Sequence, residues 1–206
     1  MQTPVAGIIA EYNPFHNGHL HHITAARELT GAEAVVVVLS SNFVQRGEPA
    51  MLDKWSRAEI ALKSGADLVL ELPAVFSSHN AGVFANAAVD IIGAMGTITH
   101  LAFGVENPEW QADEILDILI EEPEPFKVAI KKSLNNGVSF VEARSLALDE
   151  FFPGTSDMLK GSNNILALSY MKRIKQRNYP IHPVTILRVG SEYHSKQLTA
   201  CPSATA

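Results

Sequence analysis

Two histidines three positions apart, His16 and His19, are the residues of this chain best suited to chemistry, with Asn17 and Gly18 between them. They follow a short apolar run and open a segment in which apolar residues recur at helical spacing. The free N–H groups and the dipole at the start of a helix both favour negative charge. Because imidazoles can donate hydrogen bonds to phosphate oxygens, the pattern predicts a phosphate-binding site in which His16 and His19 act on the phosphate.

Two alternatives for these histidines stay open. His21 and His22 follow closely, so the four imidazoles could form a metal cluster. Helical spacing would turn two of them away, and catalytic zinc normally takes a carboxylate or a further histidine at suitable spacing, so we assign no metal ligand. The histidines could also be solvated residues at a helix start. Gly18 favours a ligand, because a missing side chain lets the ligand approach the backbone closely.

Strands and helices are predicted to alternate around this site. Each predicted strand is a short apolar run that polar residues, glycine or proline bring to an end. The Asn13-Pro14 pair forces a turn after the first strand, and Asp53 is the expected N-cap of the second helix. The predicted strands are residues 5–10, 34–39, 68–72, 101–103 and 182–189, and helices are predicted from Gly18 and at residues 53–64, 81–94 and 163–177.

This alternation predicts an α/β fold, a Rossmann-like doubly wound parallel sheet with its ligand crevice beyond the carboxyl ends of the strands. A helical insertion is expected over about residues 110–160, because apolar residues three or four apart mark helices at 112–121, 126–135 and 140–151. The whole chain, residues 1–206, is then one domain.

Side chains near the predicted strand ends are the further candidates. Glu11 could belong to the site or be only a capping carboxylate. Arg46 could clamp a carboxylate or phosphate, or lie in a plain surface loop. Gly104, expected in the loop after the fourth strand, could admit a nucleotide or only form a tight turn. Arg188, at the end of the last strand, could contact the nucleotide.

Two further pairs have equally plain alternatives. Asn163 and Asn164 stand at a predicted helix start, where Asn163 could be nothing more than the N-cap. Lys54 and Arg57 lie near the start of another helix, where cations oppose the dipole, so they could face an anionic partner or simply be solvated.

The composition favours a well-cored cytoplasmic protein. Of 206 residues, 47% are hydrophobic and 18% are charged. The formal net charge of −6 argues against strong binding of nucleic acid backbone by this chain alone. The single cysteine, Cys201, excludes an intramolecular disulfide. No basic leader stands at the first residues and no apolar run approaches the roughly 18 residues that a membrane helix needs, so we expect no membrane association.

Five stretches of the sequence together resemble the bacterial tRNA(Met) cytidine acetate ligase family, which belongs to the nucleotidyltransferase superfamily with the His-x-Gly-His motif. They are residues 11–19, 45–50, 54–55, 162–166 and 193–194. The resemblance implies that acetate is activated by ATP to acetyl-adenylate, with release of pyrophosphate. The acetyl group then passes to N4 of the wobble cytidine of elongator tRNA(Met).

The resemblance also implies which residues bind ATP. We expect the bound ATP to carry Mg²⁺. Our own reading of the residues adds Arg46 to His16 and His19 as catalytic groups. The residues expected to bind ATP are Gly7, Ile8, Ile9, Ala10, Glu11, Tyr12, Asn13, Pro14, Phe15, His16, Asn17, Gly18, His19, Leu20, Gly104, Asn163, Asn164 and Arg188.

One departure and two alternatives accompany this resemblance. The family continues beyond the last residues of this sequence with a helical region that contributes to tRNA binding, so we expect that region to be absent here. Basic clusters are short: residues 131–132, and Lys172, Arg173, Lys175 and Arg177. A small-molecule adenylyltransferase and a non-catalytic nucleotide-binding module would use the same motif. The oligomeric state is left open.

Overall fold

The fold is organised around a central strand, β1 (Val5–Ala10). The computed structural model of the chain describes residues 3–106 and 112–188. Ala6 and Ile8 of β1 are fully buried on one face of the sheet, while Val5 and Ile9 pack on the other. A strand with apolar side chains on both faces requires layers on both sides, and this requirement decides the architecture.

Five parallel strands form one sheet in the order β3-β2-β1-β4-β5. From β1, the strands β2 and β3 extend the sheet in one direction, and β4 and β5 extend it in the other. The order therefore reverses between β1 and β4, where a doubly wound sheet opens its ligand crevice. The other strands are β2 (Ala34–Ser40), β3 (Leu68–Leu72), β4 (His100–Val105) and β5 (His182–Leu187).

Helices cover both faces of the sheet. The helices α1 (Asn17–Thr30) and α2 (Lys54–Lys63) pack on one face, and α4 (Ala81–Met95) and α9 (Ser162–Arg177) pack on the other. The remaining helices are the short α3 (Ala74–Ser77) and, between β4 and α9, α5 (Ala112–Glu121), α6 (Glu124–Asn135), α7 (Phe140–Phe151) and α8 (Thr155–Met158).

Close packing beneath the centre of the sheet depends on Gly7. A Cβ atom at Gly7 would lie 3.2 Å from side-chain carbons of both Ile92 and Ile98. Such contacts are tighter than a well-packed core normally allows, so glycine lets α4 approach β1. This is a packing role, since Gly7 lies in mid-strand and pairs with Val36 and Leu101 of the neighbouring strands.

The predicted fold class is confirmed, and several predicted boundaries were wrong. Strand β4 continues through Gly104 to Val105, because it pairs with β5 as far as Leu187, so Gly104 is not in a loop. Helix α6 begins at Glu124 rather than residue 126, since a proline is tolerated in the first turn. The short helices α3 and α8 were not predicted. Residues 189–206, including Tyr193, His194 and Cys201, lie outside the described residues.

Within the described part of the chain, no helix has the length and apolar character that crossing a bilayer would require.

Candidate functional site

The predicted site residues gather along the carboxyl edge of the sheet, in two groups on either side of the end of β1. One group lies towards β4 and β5 and contains the two histidines, Gly104 and Arg188. The other lies towards β2 and contains Glu11 and Arg46. The turn at Asn13 and Pro14 separates β1 from α1, as predicted.

His16 is the N-cap of α1. Its Nδ1 atom accepts a hydrogen bond from the backbone N–H of Gly18 at 3.1 Å. The prediction that the first N–H groups of this helix are free is therefore wrong for Gly18, because the imidazole itself satisfies that donor.

His19 completes the capping box. Its Nδ1 atom accepts a hydrogen bond from the backbone N–H of His16 at 3.3 Å. The two rings stack, with centroids 3.8 Å apart and planes inclined by 21°. An Nδ1 atom that accepts a hydrogen bond carries no proton, so in each neutral ring the proton is on Nε2. The capping box thus fixes both histidines as Nε2–H donors.

Electrostatics keep both rings neutral. Burial, together with smaller contributions from the charges of the neighbouring His16, His22 and Arg188, lowers the pKa of His19 to about 2. Burial also lowers the pKa of His16, with a second contribution from the charge of Arg188. Near pH 7 the pair therefore offers hydrogen-bond donors without imidazolium charge.

Gly18 is needed for this arrangement. A Cβ atom at Gly18 would lie 2.9 Å from Cε1 and 3.1 Å from Nδ1 of His16. The structure shows that this glycine makes room for the capping imidazole. That it also lets a ligand approach the backbone stays a prediction.

Arg188 provides positive charge next to the histidines. It follows β5, its side chain is exposed, and its charge lowers the pKa values of His16, His19 and His22. Its Cγ atom would lie 3.3 Å from a Cβ atom on Gly104. Gly104 thus allows the Arg188 side chain to cross β4, which brings two predicted residues from separate strands together.

Asn163 and Asn164 lie in the first turn of α9 and are held by Glu106, which follows β4. The Oε1 atom of Glu106 accepts hydrogen bonds from Asn163 N and Nδ2 at 3.2 and 2.5 Å, and Oε2 accepts one from Asn164 N at 2.9 Å. In return, Asn164 Oδ1 accepts a hydrogen bond from Glu106 N at 3.0 Å. The Glu106 carboxylate therefore occupies the anion-favouring start of α9.

The start of α9 excludes one of the alternatives given for Asn163. The N-cap of α9 is Gly161, so Asn163 as N-cap was wrong. A Cβ atom at Gly161 would lie 2.6 Å from Glu106 Oε2, which explains glycine there. Asn164 is 2% exposed and fully engaged, with Nδ2 donating to Met158 O at 3.1 Å, whereas Asn163 is only half-buried. No pattern in the sequence indicates that Glu106 holds the start of α9.

Glu11 lies on the other side of the β1 end. Its side chain is half-buried, and Oε1 accepts a hydrogen bond from the backbone N–H of Gln45 at 2.6 Å. Burial raises the pKa of Glu11, against smaller opposite effects from the Gln45 hydrogen bond and the charges of Arg46 and Arg57. Burial raises the pKa of Tyr170 in α9, and the charge of Glu11 makes a smaller contribution in the same direction.

Arg57 is fully buried, so both predicted alternatives for it were wrong. Its guanidinium donates to the carbonyl oxygens of Glu11 at 2.6 Å and Leu52 at 3.0 Å, to that of Ser41, and to Ser40 Oγ at 3.1 Å. Lys54 instead forms an ion pair with Glu71, with Nζ 2.6 Å from Oε2. The cation of Arg57 serves to join loops rather than to bind a ligand.

The remaining predicted residues lie in β1 and in the loop before α1. Gly7 and Ile8 are buried in mid-strand, and Tyr12 is buried with a φ of 49°, in the left-handed region. Asn13 Oδ1 accepts a hydrogen bond from Met51 N at 2.7 Å, which ties this loop to the one before α2. Ile9, Ala10, Pro14 and Phe15 are half-buried, and Asn17 and Leu20 are exposed in the first turn of α1.

Among the residues that the structure describes, no group of three or more His, Cys, Asp or Glu side chains could hold a metal ion.

Comparison with known sequences places this geometry in context. A sequence model of the HIGH nucleotidyl transferase family matches residues 3–206. The chain is 49% identical over 207 residues to a tRNA(Met) cytidine acetate ligase of Syntrophomonas wolfei, covering 98% of this chain and 50% of the relative. It is 44% identical over 215 residues to one of Halothermothrix orenii, covering 98% of this chain and 51% of the relative. The chain thus spans about half the length of these curated relatives.

Solved structures agree with the sequence comparison. The apo structure of Thermotoga maritima TmcAL matches with a TM-score of 0.93 and 41% identity, over 98% of this chain and 50% of that one. A second structure of that protein, bound with alpha-thio ATP, matches with a TM-score of 0.86 and 42% identity, over 91% of this chain and 47% of that one.

Proposed function

The chain belongs to the HIGH nucleotidyl transferase family, and we propose that it forms the nucleotide-binding part of an ATP-dependent tRNA(Met) cytidine acetate ligase. The observation that carries the proposal is the pair of stacked, neutral histidines at the start of α1, each with its Nε2–H left to donate. The relatives' names and the TmcAL structure bound with alpha-thio ATP support the same conclusion.

In this proposal the triphosphate lies against the start of α1. The Nε2–H groups of His16 and His19 donate to phosphate oxygens, and Arg188 supplies the positive charge. Two neutral donors and one exposed cation suit a ligand whose negative charge moves onto pyrophosphate during the reaction. Asn163, half-buried at the start of α9, is the residue we assign to the nucleoside.

The first chemical step is attack by an acetate oxygen on the α-phosphorus. A new P–O bond forms, the bond to the β-phosphate oxygen breaks, and pyrophosphate leaves. An ionised carboxylate needs no base, so the protein contributes orientation and stabilisation of developing charge. Arg46, in the loop after β2, is the residue we assign to the acetate carboxylate.

Mg²⁺ has no cluster of ligands among the described residues. It therefore enters this proposal only as the ion that ATP carries on its phosphate oxygens, and no step is assigned to it.

The second step transfers acetyl to N4 of the wobble cytidine of elongator tRNA(Met), which makes the protein a cytoplasmic tRNA-modifying enzyme. The described chain offers little basic surface for RNA. On α9, Arg173 and Arg177 both pair with Asp90, and Lys175 pairs with Asp117 at 2.5 Å. We therefore assign most RNA contacts to the part of the relatives that this chain does not span.

Acetate-dependent exchange of labelled pyrophosphate into ATP tests this proposal. In a protein of the relatives' full length that carries this chain, exchange should require acetate and no RNA. Exchange that needs a phosphorylated metabolite instead of acetate would identify a small-molecule adenylyltransferase. ATP binding with no exchange under any acid would leave only a nucleotide-binding module.

A further inference from the structure

The acetyl transfer step needs a group that the activation step does not. An exocyclic amine that attacks the carbonyl of acetyl-adenylate must lose a proton as the C–N bond forms. This inference rests on the proposed function. It asks which described side chain at the carboxyl edge of the sheet can accept that proton.

Neither histidine is suited to be this base. The Nδ1 lone pairs of His16 and His19 accept hydrogen bonds from backbone N–H groups inside the capping box. Their Nε2 atoms carry protons and can only donate while the rings stay neutral. His16 and His19 are therefore hydrogen-bond donors in both the activation step and the transfer step.

The neighbouring carboxylates are already engaged. Glu106 accepts three hydrogen bonds from Asn163 and Asn164 at the start of α9. Glu71, in β3 at the edge of the sheet, forms an ion pair with Lys54. Using either as a base would break a helix cap or an ion pair.

Glu11 differs from both in position and environment. It follows the central strand and is half-buried, with Oε1 held by the Gln45 loop, next to the point where the strand order reverses. The histidines and Arg188 lie on one side of it and the β2 loop with Arg46 on the other. In the proposed function the triphosphate lies by the histidines and the acetate by Arg46, so the acetyl-adenylate formed between them would lie next to this carboxylate.

We propose that Glu11 is the general base of acetyl transfer, accepting the proton of the attacking amine. The nitrogen lone pair forms the new C–N bond, the amine proton moves to a carboxylate oxygen of Glu11, and the C–O bond to AMP breaks. AMP leaves with that electron pair. No oxidant or further reactant is required.

The surroundings of Glu11 fit this role. The raised pKa that burial gives this carboxyl makes its anion a stronger base than an exposed carboxylate. The backbone of Glu11 is fixed by Arg57 Nη1 at 2.6 Å, and its Oε1 atom by Gln45 N at 2.6 Å. The base would therefore be held in place before the substrates bind.

The test separates the two steps in the Glu11→Gln variant of a protein of the relatives' full length that carries this chain. Glutamine keeps the oxygen that accepts from Gln45 but cannot take a proton. Glu33→Gln, which removes an exposed carboxylate before β2 at the opposite edge of the sheet, is the matched control. Three rates are measured: acetate-dependent pyrophosphate exchange, trapping of acetyl-adenylate by hydroxylamine, and acetylation of elongator tRNA(Met).

For Glu11→Gln we expect tRNA acetylation to fall by about 10²–10⁴, the usual contribution of a general base, while exchange and hydroxylamine trapping fall far less. Hydroxylamine is a strong nucleophile that needs little help from a base. Equal losses in all three rates, or undiminished tRNA acetylation, would overturn the role of Glu11. Absence of acetate-dependent exchange in the unsubstituted protein would refute the proposed function itself.

Discussion

The guanidinium of Arg57 donates to the carbonyl oxygen of Glu11 at 2.6 Å, across 46 positions of sequence. The same side chain reaches the carbonyls of Ser41 and Leu52, so one buried cation joins the ends of β1 and β2 to the start of α2. Neutral carbonyl dipoles solvate the charge that water would otherwise solvate.

Replacing Arg57 should therefore destabilise the fold. We expect Arg57→Ala to lower the free energy of unfolding by about 3–5 kcal/mol, because several buried carbonyls lose their donor at once. Arg57→Lys should recover only part of this, since an ammonium cannot reproduce the planar fork. Chemical denaturation measures the loss. The control is Lys63→Ala, which removes an exposed ion pair with Glu59 and should leave the free energy of unfolding unchanged. An Arg57→Ala variant as stable as this control would contradict the structural role of Arg57.

The second prediction separates the two roles of His19. His19→Ala removes both a phosphate donor and the acceptor for His16 N–H, so it should weaken ATP binding by about 1.5–3 kcal/mol and also reduce stability. His19→Gln should restore the capping box, since glutamine is a usual partner at this position, without restoring ATP affinity. Calorimetric titration and thermal unfolding give the two quantities.

His21→Ala, which alters an exposed neighbour of His19, is the control and should affect neither measurement. An unchanged ATP affinity in His19→Gln would exclude the imidazole as a phosphate donor.

The third prediction concerns Gly18, where helix propensity and sterics act in opposite directions. Alanine normally favours a helix over glycine by about 0.5–1 kcal/mol. In Gly18→Ala the new Cβ atom would lie 2.9 Å from His16 Cε1, so we expect reduced stability and weaker ATP binding instead. Gly82→Ala is the comparison, because Gly82 is the second residue of α4, as Gly18 is of α1. There the new Cβ atom would lie 3.3 Å from Asn80 Oδ1.

Thermal unfolding and ATP titration of both variants check the comparison. A Gly18→Ala protein that is as stable as the Gly82→Ala protein, with ATP affinity intact, would show that the imidazole can move without consequence.

The fourth prediction follows from buried histidines. Burial lowers the pKa of His22 to about 4, while the ordinary pKa of histidine, as in an unfolded chain, is 6.5. Below pH 6.5 the unfolded state then binds more protons than the folded state, so stability falls as the pH drops from 6.5 towards 4. The slope contributed by one such group is at most about 1.4 kcal/mol per pH unit.

Denaturant unfolding at a series of pH values should show this loss, and His22→Leu should reduce its slope. His22 Nε2 is buried without a hydrogen-bond partner among the described residues, whereas the hydrogen bond of the imidazole with the backbone of Ala102 would be lost in the leucine variant. The pH slope, and not the absolute stability, is therefore the quantity to compare. A His22→Leu protein with an unchanged pH slope would show that another group controls acid unfolding.

The fifth prediction concerns RNA. With 16 Lys and Arg against 22 Asp and Glu, and with Arg173, Lys175 and Arg177 paired on α9, this chain should bind elongator tRNA(Met) weakly. Each phosphate contact contributes a log–log salt slope of roughly −0.7 to −0.9, so a salt-series titration counts the contacts. A protein of the relatives' full length should show a steeper slope and tighter binding. Tight, selective binding by residues 1–206 alone would place the RNA surface within this chain.

Much of the site could be predicted because its main elements are local in sequence. Residues 5–22 contain the apolar run 5–10, the Asn13-Pro14 turn and the histidines of a new helix. The order of these features alone indicates a strand, a turn and a helix start. The prediction of Asp53 as an N-cap was confirmed for the same reason, since its Oδ1 atom accepts hydrogen bonds from Trp55 N and Ser56 N, two and three residues on. Alternating strands and helices then indicate a doubly wound parallel sheet.

What only the tertiary structure decided is how distant polar groups pair. Sequence could not distinguish a solvated Arg57 from a buried one, because its burial depends on carbonyls from two separate loops, after β1 and after β2, that the sheet brings together. It likewise could not show that Glu106 caps α9, since the partners are 57 and 58 positions apart. Periodicity and turn chemistry are set by neighbours along the chain, whereas the solvation of a charge is set by whatever the fold places around it.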